Sequence, residues 1–136
     1  MSRSKRPRKA YRPRLPAIPV MPELLREFEH LRIKLAWMID SGRVTDSNAL
    51  DDFARVFNVL NTAHPELLEG PVMAGFQRTL QSLIDRFMAA GAVTLNRFDA
   101  ATLIAGFNRM IEVLPHADVS RMYVAMQKIR ALGRAA

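Results

Sequence analysis

The sequence predicts an all-α protein: a five-helix bundle built from two similar αα-hairpins plus a C-terminal helix, preceded by an extended Pro-rich N-terminal arm. Three observations carry this expectation. Apolar residues recur at alternating spacings of three and four from Leu24 to Ile129, and no stretch alternates with period two for long enough to make a strand. The punctuation between stripes repeats, with Gly42 and Gly91 each followed by x-Val-Thr and with Pro65 and Pro115 each eight residues past a phenylalanine, Phe57 or Phe107. Prolines at 13, 16, 19 and 22 mark a different regime before the first stripe.

The chain divides at that point, into an arm of residues 1–21 and a helical domain of residues 22–134. Polyproline II has three residues per turn, so the four prolines fall in one row and Leu15, Ile18 and Met21 in the next. Pro22 suits a first helical turn, where a missing N–H costs nothing, so the extended run is expected to end where the first helix begins. Two uses fit such a segment. It is a stiff strap whose Leu15, Ile18 and Met21 pack on the protein's own helices, or it is a recognition element for a groove on a partner. Pro13 stands where an SH3 ligand would need a basic residue, which argues against that class of groove.

Five amphipathic stripes follow. Leu24, Phe28, Leu31, Leu35 and Met38 form the first, and Leu50, Phe53, Phe57 and Leu60 the second. Met73, Phe76, Leu80, Leu83 and Phe87 form the third; Leu103, Phe107, Met110 and Leu114 the fourth; Val119, Met122, Met126 and Ile129 the fifth, on a helix expected over 117–132. Gly42 is placed for a left-handed C-cap, with Thr45 or Asp46 to cap the next helix, and Gly91 with Thr94 repeats the pattern. The result is two hairpins on one plan, helix–G-x-V-T–helix. Trp37 borders the first stripe, either at the edge of the core or as an exposed anchor.

Charge is segregated. Arg3, Lys5, Arg6, Arg8, Lys9, Arg12 and Arg14 lie in residues 1–14 with no acid among them. The remaining thirteen basic and all thirteen acidic side chains belong to residues 15–136, so the net charge of +7 sits on the arm. A cationic segment this dense is an anion-binding footprint, and Tyr11 within it could stack on a base. The predicted nucleic-acid-binding set is therefore Arg3, Lys5, Arg6, Arg8, Lys9, Tyr11, Arg12 and Arg14, acting without base specificity. Arg121, Lys128, Arg130 and Arg134 on the last helix either extend that footprint or simply suit a helix C-terminus.

No reaction is legible. The chain has no cysteine, which excludes disulfides and thiol chemistry and fits the cytoplasm. His30, His64 and His116 are far apart, Asp51 and Asp52 diverge on a helix, and there is no phosphate loop or G-x-S-x-G. No catalytic residue, metal ligand or cofactor is assigned, and no run of apolar residues is long enough to span a membrane. Five of the eight methionines (Met38, Met73, Met110, Met122, Met126) lie on the core stripes, and the expectation for them is core packing over an adaptable binding face.

The opening "SKRPRKAYRPR", within residues 2–14, resembles the K/R-rich, Y-R-P-R-containing starts of small uncharacterised proteins of proteobacterial phages and prophages. The resemblance implies a setting, that of an accessory protein of a mobile element, often a nucleic-acid binder or an inhibitor of host machinery. The expectation is a non-enzymatic binding protein that meets nucleic acid through its arm. The alternative is an adaptor or inhibitor that docks on a host or phage protein through the proline strap or a Met-rich helical face.

Overall fold

Apolar residues three and four apart bury themselves by pairing helices, and the punctuation decides where the chain turns back. The computed structural model describes residues 20–135. Their order is α1 (Val20–Ser41), β1 (Arg43–Val44), α2 (Ser47–Ala63), a 3-10 turn (Pro65–Leu67), α3 (Pro71–Ala90), β2 (Val93–Thr94), α4 (Arg97–Val113), a second 3-10 turn (Leu114–His116) and α5 (Val119–Ala135). The all-α, five-helix architecture is as expected, and the two hairpins share one plan down to the proline-containing 3-10 turn that closes each.

Helix ends follow from individual residues. Gly42 (φ 70°) donates its N–H to Met38 O at 2.8 Å, and Gly91 (φ 79°) donates to Phe87 O at 2.7 Å. Both sit in the left-handed region where glycine carries no Cβ penalty. Asp46 caps α2, its carboxylate accepting the Asn48 N–H at 2.9 Å. The cap of α4 is Asn96, which accepts the Asp99 N–H at 2.8 Å. Thr94 does not cap that helix, because its backbone is engaged in β2. Where the proline row was expected to run extended to residue 22, α1 already begins at Val20. Pro22 is accommodated because the first-turn N–H groups have no helical acceptor. Leu15, Ile18 and the prolines at 13, 16 and 19 lie outside the described residues.

The two inter-helix loops pair with each other. β1 and β2 run antiparallel, Arg43 opposite Thr94 and Val44 opposite Val93, and the Leu95 N–H extends the ladder to Gly42 O at 2.8 Å. Val44, Val93 and Leu95 are buried beneath this bridge. It holds both loops at one end of the bundle.

Every stripe residue from Leu24 to Leu83 is buried, and Phe87 is half-buried at the end of α3. The centre is aromatic. Phe107 of α4 meets Phe28 of α1 and Phe53 of α2 at centroid distances of 5.7 and 6.0 Å, and Phe76 of α3 meets Phe53 and Phe57 at 6.4 and 5.9 Å. Gly106 lets α4 lie directly against the Phe76 ring. The fifth helix covers α2 and α1 with Met122, Ala125 and Met126, while Val119 remains exposed.

Candidate functional site

The predicted nucleic-acid contacts, Arg3, Lys5, Arg6, Arg8, Lys9, Tyr11, Arg12 and Arg14, lie outside the described residues, as do the partner candidates Leu15 and Ile18. The backbone of Met21 falls in the first turn of α1. What the fold fixes is the place from which the arm departs. Beside it, Glu23 receives an Arg130 N–H from α5 at 3.3 Å, and a groove of about 300 Å³ runs between α1, α2 and α5 over Leu24, Val56, Val59 and Met126.

Most cations of the helical domain with described side chains, seven in all, are matched by acids rather than gathered into a patch. On α5, Arg121 binds Glu66 at 3.2 Å and Arg130 binds Glu23. Lys128 is exposed and makes no ion pair among the described residues. A second network ties α1 to α2: Arg55 bridges Glu27 and Asp52, and Asp52 also takes Lys34 at 2.6 Å.

His64 is the buried polar residue with the most elaborate partners. Its Nε2 accepts the Asp118 N–H at 2.8 Å, which places the ring proton on Nδ1 and lets Nδ1–H donate to Glu66 Oε2 at 3.0 Å. That bond, the Glu66 backbone N–H and then Arg121 hold the Glu66 carboxyl at about 2, well below its usual 4.5. The arrangement is a structural tie. It fastens the end of the first hairpin to the start of α5.

A helix–loop–helix with a central glycine invites a test for calcium. A twelve-residue calcium loop places glycine sixth and oxygen ligands at positions 1, 3, 5 and 12. Counting from Gly42 and Gly91 puts Trp37, Ile39, Ser41 and Asn48 at those positions in one frame, and Arg86, Met88, Ala90 and Arg97 in the other. Neither frame offers a carboxylate there. Among the described residues no group of three or more His, Asp or Glu side chains converges.

The bridge end carries the largest exposed apolar groups. Met88 is 79% exposed, Trp37 76% and Phe98 73%, the three highest values among large hydrophobic residues in the described part of the chain. Trp37 is thus an exposed residue and not a core edge. With Ile33, Met38, Val44 and Ala49 it lines a groove of about 510 Å³ between the end of α1 and the start of α2. Met88 and Phe98 belong to no stripe, which is the sequence signal that could have marked them. The five stripe methionines are buried, so they offer no Met-rich binding face. No helix among the described residues is long and apolar enough to cross a membrane. No family model, curated protein or solved structure matches the chain.

Proposed function

We propose that this protein is a non-enzymatic binding protein, an accessory factor of a phage or other mobile element, that engages nucleic acid in the cytoplasm through residues 3–14. The observation that carries the reading is the segregation of charge. All seven excess cations lie in the first fourteen residues, and the rest of the chain is balanced. Arginine-rich arms of this kind bind phosphates by releasing counterions, so contact is strong at low salt and indifferent to base sequence. The competing reading, an adaptor or inhibitor of a host or phage protein, keeps the proline strap as its surface. It loses the Met-rich face, which is core.

The experiment is a salt titration of binding to duplex DNA and single strands, with full-length protein and a variant lacking residues 1–14. If about five duplex phosphates are engaged, the log–log slope of affinity against salt lies near −4 to −5, and the truncation abolishes it. Unchanged binding by the truncated protein refutes the arm as the nucleic-acid contact. A pull-down with and without nuclease then separates a protein partner of the strap from nucleic acid.

A further inference from the structure

We propose that the bridge end of the bundle is a self-association surface, on which Phe98 of one protomer seats in the Trp37 groove of a second copy and the second copy's Phe98 seats in the first. The β1–β2 pairing brings both loops to this end, and the three most exposed large apolar side chains among the described residues all flank those loops. A concentration of exposed apolar residues at one place marks an interaction surface in a way that scattered ones do not.

The duplication explains why a groove is there. Trp37 lies five residues before Gly42, as Arg86 lies five before Gly91. Ala49 lies three residues after the cap Asp46, as Asp99 lies three after the cap Asn96. In the second hairpin these positions are joined by an Arg86–Asp99 ion pair of 3.2 Å across the mouth between the helices. In the first hairpin the same two positions are tryptophan and alanine, and an apolar cleft stands where the ion pair would be. The residue next to Asp99 is Phe98, pointing into solvent from the first turn of α4. A hole and a knob therefore sit at the same end of one chain.

That pairing favours a second copy as occupant. A two-fold interface requires one patch to be its own complement, so that groove meets knob twice. Aromatic anchors seated in pockets are also what dominates such interfaces. Charge fits the same pose. Arg97 adjoins the knob, while Asp46 lines the groove and Asp40 stands beside Trp37. None of the three makes an ion pair among the described residues. Arg43 and Lys34, the latter already paired with Asp52, also line the groove and keep the local field mixed, so these charges set the orientation of the partner and the aromatic groups supply the attraction.

Sedimentation equilibrium of nuclease-treated full-length protein at high salt tests this without nucleic acid bridging the arms. The expected result is a reversible dimer with a dissociation constant in the roughly micromolar range. Phe98→Ala and Trp37→Ala each weaken it at least about tenfold, with helix content unchanged because both side chains are exposed. Arg97→Glu weakens the dimer, and Asp40→Arg added to it restores part of the loss. A monomer at all concentrations overturns the proposal, as does a dimer indifferent to both aromatic substitutions. A dimer that survives Phe98→Ala but is lost on deleting residues 1–19 assigns the groove to the arm and also overturns it.

Discussion

Gly106→Ala isolates the close approach of α3 and α4, and Gly75→Ala supplies its control. Both glycines are inside helices, where alanine is intrinsically preferred by about 0.8–1 kcal/mol. Their surroundings differ. A Cβ on Gly75 meets nothing nearer than Thr102 Cγ2 at 3.8 Å, ordinary van der Waals contact. A Cβ on Gly106 comes within 2.6 Å of Phe76 Cβ and closer still to Cγ and Cδ1 of the same ring. Rotating the ring cannot relieve the first of these contacts, because Phe76 Cβ is fixed to the α3 backbone. The ring itself is fully buried against Phe53 and Phe57, so the helices must separate. Overpacking of this kind costs about 3 kcal/mol at the upper end of its usual range, and the helix preference returns about 1. Gly106→Ala is therefore expected to lose about 2 kcal/mol, while Gly75→Ala gains about 0.5–1 kcal/mol. Urea unfolding followed by far-ultraviolet circular dichroism reads both. A Gly106→Ala variant as stable as the parent would show that α3 and α4 do not lie this close.

Gly42→Ala and Gly91→Ala each force a side chain into the left-handed region with open space around it, so each should cost about 1–2 kcal/mol. Unequal losses in urea unfolding would undo the equivalence of the two turns. Phe57→Ala and Phe107→Ala should each cost about 3–5 kcal/mol, with Phe107 the larger. Phe107 touches two other rings and lies 5.7 Å from the Arg32 guanidinium, whereas Phe57 pairs with Phe76 alone. Acid titration should expose the Glu66 tie. Its carboxyl is held at about 2 against the usual 4.5, so its contribution is complete above about pH 4.5 and is lost as pH falls through 2. Glu66→Gln should flatten stability over that window, and an unchanged acid limb would remove the tie from the account.

What the sequence made legible is what depends on period and punctuation. Except for Val119, which is left exposed in the first turn of α5, the stripe residues from Leu24 to Met126 could be assigned to a core because residues three and four apart share a helix face whatever surrounds them. The glycine turns could be placed because few other residues tolerate their backbone angles. Contacts between distant residues carry no such local sign. His64 reads in the sequence as an isolated histidine, and its meaning comes from Asp118, fifty-four positions later. The pairing of Val44 with Val93 left only the repeated Val-Thr as a trace. Asp46 caps α2 one residue past Thr45, whereas Asn96 caps α4 two residues past Thr94, because the second loop is one residue longer than the first and Leu95 fills the added place. Trp37 could not be assigned because a position bordering a stripe is buried or exposed according to what the neighbouring helix puts there. Its neighbour offers Ala49.

The bridge between the loops also gives the molecule an internal clock. Amide protons within a helix exchange with solvent whenever that helix frays, an event each hairpin can undergo alone. The Leu95 N–H is held by Gly42 O, from the other hairpin, and the Val44–Val93 pair is buried beneath it. Its exchange waits for the two halves to part. Protection at Leu95 thus reports the frequency of hairpin separation, and protection at mid-helix amides such as Phe57 or Phe107 reports the opening of one half. If the hairpins behave as separate cooperative units, Leu95 exchanges sooner than the helix interiors. If the aromatic centre shared by four helices makes them one unit, all three exchange together.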